Sequence, residues 1–267
     1  MSRIAQVMAD LKASNRKALV PYIVAGDPTP SHTVALMHGL VEAGADIIEL
    51  GVPFSDPMAE GPSIARGHER ALEYRVGLRH VLDMVTEFRT NDSKTPVVLM
   101  GYANPIERMG YDVFSERAYV AGIDGVLTVD LPPEESGALA ETLQDRGIDT
   151  IFLVSPTTSD QRAKEIVKNA SGYIYYVSLK GVTGAANLDV DEVSERINLL
   201  RSYTDLPLCV GFGIKDAESA KAVSSAADGA VVGSVLVNAC GELAHAPVSE
   251  LVSQVSAIIG DMRSALG

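Results

Sequence analysis

The stretch ADIIELGVPFSDPMAEGPSIARG, residues 45–67, consists of a short apolar run, a loop rich in proline and glycine, and the beginning of a polar segment. Its first part, ADIIELG, is one of eight β-branched and apolar runs that are separated by segments with helical spacing. Nearly continuous hydrophobic strands that alternate with helices are typical of a parallel sheet covered by helices. The other seven runs are ALVPYIVAG (18–26), PVVLMGY (96–102), GVLTVD (125–130), DTIFLVSP (149–156), GYIYYVS (172–178), PLCVGFG (207–213) and GAVVGS (229–234).

Eight strand and helix units predict an α/β protein with a closed (β/α)8 TIM barrel, built as a single domain over residues 1–267. Apolar residues between Ile4 and Leu11 share one face, which predicts an extra N-terminal helix that could plug the bottom of the barrel. A similar apolar face between Leu251 and Met262 predicts a C-terminal helix. A doubly wound open sheet is the competing fold, but GFGIKD places Asp216 where the third glycine of the dinucleotide fingerprint should stand.

The composition indicates a soluble globular protein. The formal net charge of −13 and the scattered basic residues argue against a nucleic acid or an anionic membrane surface as partner. No apolar run reaches the roughly 18 residues of a membrane helix, and the N-terminus lacks signal-peptide features, so we expect a cytoplasmic protein. Cys209 and Cys240 lie in apolar runs without CxxC spacing, which predicts two buried free thiols.

Glu49 lies near the end of its apolar run and is the residue there best suited to chemistry. By strand alternation, Ile48 and Leu50 should face the helices, which directs Ile47 and Glu49 into the barrel. Active sites of such barrels lie where strands end and the following loops begin. A carboxyl group partly removed from water there should have a raised pKa, useful for general acid and base catalysis. A structural acid paired with a basic neighbour is the alternative.

Three glycine-containing loops after the last three strands offer an anion site. GFGIKDAESAKAV (211–223) and VVGSVL (231–236) provide backbone N–H groups that can approach a phosphate closely and bind it at a helix start. SLKGVTGAANLDVDEV (178–193) has the length and the glycines of a lid. Each loop alone is compatible with an ordinary turn, but together they predict a phosphorylated small-molecule substrate.

The histidines do not form a metal-binding pattern. They lie on predicted helices or near their ends, without HExxH spacing, so each is interpreted as a surface or packing residue and no metal is assigned. GxSxG and Walker motifs are also absent from the sequence. The five histidines are His32, His38, His68, His80 and His245.

Six segments together closely resemble the tryptophan synthase alpha chain, from about residue 3 to residue 265. The resemblance implies a (β/α)8 barrel that cleaves indole-3-glycerol phosphate to indole and glyceraldehyde 3-phosphate in a retro-aldol reaction, without a cofactor of its own. It also implies a partner beta chain, in a tetramer of two alpha and two beta chains, whose pyridoxal phosphate site receives the indole through an internal tunnel. The segments are VPYIVAGDP, ELGVPFSDPMAEGPSI, GVLTVDLPPEE, IFLVSPTT, YYVSLKGVTG and VGFGIKDAESA.

This resemblance assigns two catalytic carboxylates. Glu49 matches a strand glutamate that shuttles protons at the indole carbon C3 and the glycerol hydroxyl, and Glu60 matches a loop acid that takes up the indole N–H proton. The family usually has aspartate at position 60. The extra methylene moves the carboxyl by about 1.5 Å, and misplacement of about 1 Å can cost around a hundredfold in rate unless the loop is set back.

The resemblance also assigns binding and interface residues. Tyr22 replaces a phenylalanine that is more often found there, so its added hydroxyl needs a partner or water if it is buried. Asp56 is placed on the face that meets the beta chain, and Asn104 and Asp130 take interface or lid-support roles, with capping of a turn as the alternative. The substrate residues are Tyr22, Met100 and Leu127 around the indole, Tyr175 nearby, Thr183 and Gly184 in the lid, and Gly213, Gly233 and Ser234 at the phosphate.

Two other hypotheses remain open. The chain could act mainly as an allosteric activator of the beta chain, with weak lyase activity because of Glu60. It could also be another barrel enzyme that acts on a phosphorylated sugar, such as an isomerase of the same pathway.

Overall fold

A computed structural model describes residues 2–178, 190–211 and 213–266. Within these ranges eight parallel strands close into one barrel in chain order, and helices connect them, which confirms the predicted (β/α)8 fold. The strands are β1 Ala18–Val24, β2 Ile48–Gly51, β3 Val97–Gly101, β4 Gly125–Thr128, β5 Asp149–Val154, β6 Ile174–Val177, β7 Leu208–Gly211 and β8 Gly229–Val232. The described helices are α1 Arg3–Ala13, α2 Pro30–Glu42, α3 Pro62–Glu73, α4 Leu78–Phe88, α5 Ala103–Met109, α6 Tyr111–Ala121, α7 Gly137–Gln144, α8 Asp160–Asn169, α9 Val190–Arg201, α10 Ala217–Ser224, α11 Ser234–Glu242 and α12 Val248–Leu266.

Alternation along the strands separates two apolar layers. Ile48 and Leu50 pack with the residues that face the helices, whereas Ile47 packs inside the barrel, as the sequence predicts. Since successive side chains of a strand point to opposite faces, both layers exclude water from the strands between them. The strand residues of the inner layer include Ala18, Val20, Val98, Leu127, Ile151, Tyr175, Cys209 and Val231.

The predicted terminal helices are both present. Ser2 caps α1 by accepting a hydrogen bond from the Ala5 N–H at 3.2 Å. Ile4, Met8 and Leu11 of this helix are buried with the inner layer, so α1 plugs the barrel bottom as predicted. At the other end of the chain, α12 buries one apolar face, which includes Leu251 and Met262.

Three aspartates at the strand starts, which we call the floor acids, tie the bottom of the barrel together. Each precedes a strand, accepts a backbone N–H from a neighbouring strand at 2.8 or 2.9 Å, and pairs with an arginine at 2.8 or 3.0 Å. These contacts lock the register of adjacent strands and compensate the charge of each aspartate. The sets are Asp46 with Leu19 and Arg263, Asp124 with Val97 and Arg89, and Asp228 with Leu208 and Arg201.

Two further sequence predictions concern the cysteines and membrane-spanning helices. Cys209 and Cys240 are both buried free thiols, as predicted. Among the helices that the structure describes, none combines the length and apolar composition needed to cross a bilayer.

Candidate active site

Glu49 lies near the C-terminal end of β2, fully buried, with its side chain in the barrel. The Tyr173 hydroxyl donates a short hydrogen bond to Oε1, while Oε2 has no hydrogen-bond partner among the described residues. Burial raises the pKa of Glu49 from 4.5 to about 7, and the hydrogen bond from Tyr173 limits the rise. The carboxyl group can therefore both give and accept a proton near neutral pH.

Two tyrosines extend over glycines at the barrel mouth, the end where the strands finish. A Cβ at Gly51 would collide with the hydroxyl of Tyr22, and a Cβ at Gly211 would collide with that of Tyr175, so glycine is needed at both strand ends. Burial raises the pKa of each tyrosine well above its usual value, and the charges of Glu49 and Glu60 raise it further. Both carboxylates therefore act on the same small region of the mouth, although they come from a strand and a loop.

Loop two, residues 52–61, brings Glu60 to the mouth through contacts with its neighbours. The Ala59 N–H donates to the Tyr102 hydroxyl at 3.2 Å, and the rings of Phe54 and Tyr102 stack with centroids 4.8 Å apart. The side chain of Glu60 is only 5% exposed, with Oε2 at 2.6 Å from Nε2 of His68. Glu60 therefore lies inside the site and not on the outer surface of the loop.

His68 was missed by sequence reasoning, which treated it only as a surface or packing histidine without a role in the site. It lies on α3, and Nδ1 accepts a hydrogen bond from the Phe54 N–H at 3.0 Å. Its Nε2 is 3.4 Å from the Tyr22 hydroxyl, which answers the need for a partner there. Helical spacing carried a usable signal, because Ile64, His68 and Ala71 fall on one face of α3.

A bidentate ion pair fixes α3 in the position that this contact requires. Arg70 donates to the two carboxylate oxygens of Asp27 at 2.6 and 2.9 Å, and to the Val237 carbonyl at 3.0 Å. Asp27 is buried just after β1, so the pair links the first strand, α3 and α11. Such a fork geometry restrains both distance and orientation.

The predicted phosphate residues lie after β7 and β8. Gly213 has a positive φ of 77°, and Gly233 is the N-cap of α11, with Ser234 as its first, exposed residue. The start of α10 is less available for binding an anion, because the Asp216 side chain already accepts the Ser219 N–H at 2.8 Å. Backbone N–H groups at the start of α11 remain the better anion donors.

The other predicted residues divide between the pocket wall and the surface. Leu127 is buried in the barrel and Met100 is half-buried. Asp56, Asn104 and Asp130 are exposed on loops or a helix start beyond the strand ends. Asp130 also accepts the Ala103 N–H at 2.8 Å, which is the capping contact weighed as the alternative for it.

Two further predictions concern the lid and metal binding. The lid residues Thr183 and Gly184 lie outside the described residues. In the described ranges, 2–178, 190–211 and 213–266, no group of three or more His, Cys, Asp or Glu side chains is placed to hold a metal ion.

Comparison with known proteins places this geometry in a family. A family model described as "Tryptophan synthase alpha chain" matches residues 8–266. Proteins of that name from Thioalkalivibrio sulfidiphilus and Chromobacterium violaceum are each 58% identical, over 100% and 97% of this chain and all of theirs. A crystal structure of tryptophan synthase subunit alpha from Legionella pneumophila is 46% identical, with a TM-score of 0.91 over 100% of this chain and 98% of that one.

A more distant structure has the same fold. The matched chain in the aminoacrylate-bound form of tryptophan synthase from M. tuberculosis is 32% identical, with a TM-score of 0.88 and full coverage of both chains. The matches in sequence and in structure extend over almost the whole chain. The chain belongs to the tryptophan synthase alpha chain family and is a lyase of tryptophan biosynthesis.

Proposed function

We propose that this chain releases indole from indole-3-glycerol phosphate by retro-aldol cleavage, with Glu49 as the proton shuttle. The observation that carries the proposal is the fully buried Glu49 carboxyl, whose pKa is raised by burial to about 7 and whose Oε2 has no partner among the described side chains. A structural acid would have its charge compensated. An acid that is close to half protonated at neutral pH is suited to proton transfer.

The reaction needs one proton to move from the glycerol hydroxyl to the indole carbon C3. Protonated Glu49 gives its proton to C3, which makes the ring an electron sink, and Glu60 stabilises the positive charge at the ring N–H. The Glu49 carboxylate then takes the hydroxyl proton, the bond from C3 to the carbinol carbon breaks, and its electron pair restores the aromatic ring. The products are indole and an aldehyde, and Glu49 returns to its protonated form.

The remainder of the substrate is proposed to occupy the side of the mouth between β7 and β8. Gly233 and Ser234 are supported as phosphate ligands by their position at the start of α11, where backbone N–H groups favour an anion, and Gly213 by its position just after the neighbouring strand β7. Tyr22, Met100 and Leu127 are proposed to surround the indole ring. Tyr175 lies between these two parts by its position on β6.

A beta chain is the proposed partner, in a cytoplasmic assembly of two alpha and two beta chains. Asp56, Asn104 and Asp130 support an interface at the mouth, because all three are exposed beyond the strand ends. We propose that this chain uses no cofactor of its own and that pyridoxal phosphate belongs to the beta chain. Indole would then leave through the face that meets the partner.

Indole release from indole-3-glycerol phosphate tests the proposal. We expect Glu49→Gln to lower turnover by about three orders of magnitude, since positioned acid and base groups contribute about 10²- to 10⁴-fold. Glu116→Gln is the matched control, because Glu116 is an exposed acid on α6, outside the barrel. Near-normal turnover in Glu49→Gln would remove Glu49 from the mechanism.

A further inference from the structure

We infer that His68 is a positioning residue for Glu60. Its ring holds the glutamate carboxylate in the place where the site needs it. The inference rests on the proposed lyase function, in which Glu60 acts at the ring N–H. It concerns a residue that the family resemblance did not assign. Three contacts of the His68 ring carry it.

The first contact fixes the tautomer of His68. Because the Phe54 N–H donates to Nδ1 at 3.0 Å, that nitrogen must present a lone pair. A neutral imidazole carries one N–H, so the proton of His68 lies on Nε2. The backbone of loop two therefore determines which side of the ring is a donor.

The donor side faces two oxygen atoms of the site. Nε2 lies 2.6 Å from Oε2 of Glu60 and 3.4 Å from the hydroxyl of Tyr22. The side chains of His68 and Glu60 are almost completely shielded from water, at 1% and 5% exposure. Within the described chain, neither carboxylate oxygen of Glu60 has an aligned hydrogen bond, so a small rotation of the carboxyl toward Nε2–H would give it its one donor.

Two polar side chains of the site meet at this histidine. The Tyr22 hydroxyl and the Glu60 carboxylate both reach Nε2 of His68. An aspartate at position 60 would withdraw the carboxyl by about 1.5 Å and leave that donor behind. The length of Glu60 is therefore matched to the position of His68. Their contact determines where the carboxylate lies relative to the indole N–H of the substrate.

Two substitutions separate the two sides of the ring. The amide oxygen of asparagine replaces Nδ1 and keeps the Phe54 contact, while the amide nitrogen of glutamine replaces Nε2 and keeps a donor for Glu60. We expect His68→Asn to lower kcat for indole release tenfold or more with KM within about threefold, because an intermediate-specific contact is lost. We expect His68→Gln to retain kcat within about threefold. The reverse order, with only His68→Gln impaired, would show that His68 merely pins loop two and would overturn the inference.

Two further measurements apply if a His68 variant folds poorly. Glu60→Asp leaves the histidine in place, and we expect a tenfold or greater loss of kcat, whereas a gain would overturn the inference. Nitrogen-15 NMR of the five histidines should show His68 protonated at Nε2, and protonation at Nδ1 would contradict the geometry. Glu49→Gln, measured in parallel, distinguishes the two proposals: a normal Glu49→Gln enzyme, or a wild-type chain that releases no indole, overturns the proposed function itself.

Discussion

The two ends of the barrel treat their carboxylates in opposite ways. At the bottom, Asp46, Asp124 and Asp228 each accept a backbone N–H and pair with an arginine. At the mouth, Glu49 and Glu60 form no ion pair with lysine or arginine anywhere in the described ranges, and their neighbours include tyrosines and the imidazole of His68. The same kind of group is compensated at one end and left reactive at the other.

In this chain the contacts of the floor acids contribute stability, whereas the acids of the mouth are placed for chemistry. The floor acids hold strand register and lie beside the helix plug, so their charges are satisfied within the fold. Glu49 is instead desolvated with only the Tyr173 hydroxyl as a donor among the described residues, so its charged form is disfavoured and its pKa is raised. Burial raises the pKa of the floor acid Asp46 as well, but there the backbone N–H of Leu19 and the charge of Arg263 oppose the rise.

Removing a floor acid should change the free energy of unfolding more than any substitution at the mouth. Asp124 is 4% exposed and bridges Arg3 and Arg89, so Asp124→Asn removes the closest carboxylate partner of the largely buried Arg89 and leaves only Asp92 at 3.8 Å. Loss of one member of a buried pair costs about 3 to 5 kcal/mol, and we expect urea unfolding to show a fall of about this size. Turnover of the folded fraction should stay within about threefold of wild type, and a selective loss of turnover would mean that the floor also shapes the site.

A smaller effect of opposite sign is expected at the mouth. The folded pKa of Glu49 is raised, so the folded chain holds a proton that the unfolded chain releases, and stability falls as pH rises between about 4.5 and 7. Glu49→Gln removes this loss. Relative to wild type, we expect its free energy of unfolding to improve by about 2 to 3 kcal/mol between pH 5 and pH 8.

The measurement is urea unfolding of both proteins at the two pH values. Glu116→Gln serves again as the control, because an exposed acid on α6 should show little pH-dependent difference. An equal pH dependence in wild type and Glu49→Gln would indicate that Glu49 is ionised at an ordinary pKa in the folded chain. The contrast between the two ends would then lose its physical basis.

Much of the fold could be predicted because its signal is local. Apolar runs and their alternation located all eight strands and directed Ile47 inward, and spacing alone found the plug helix α1. The contacts of the floor acids could not be predicted from local sequence patterns. Each acid lies just before its run, at Asp46, Asp124 and Asp228, but its partners come from other strands and helices that only the closed barrel brings together.

The site was less predictable because its contacts are distant in sequence. Tyr173 is 124 residues from Glu49. It is two residues before Tyr175 and should therefore point to the same face of the sheet, which was a usable signal that it lies inside the barrel. His68 was set aside for lacking metal spacing, although helix periodicity directs it toward the barrel. Side-chain pairing across the mouth depends on the angle of α3 and the course of loop two, and neither is encoded in a local pattern.

A carbon-13 NMR titration of the Glu49 carboxyl measures the protonation state on which the proposed proton transfer depends. Glutamate labelling reports each side-chain carboxyl, and the signal that is absent in Glu49→Gln identifies the residue. We predict a midpoint near 7 in the folded protein, and a higher one in Tyr173→Phe, because the hydroxyl that stabilises the carboxylate is removed. A midpoint near the ordinary 4.5 would contradict the claim that the barrel mouth holds an uncompensated acid ready for proton transfer.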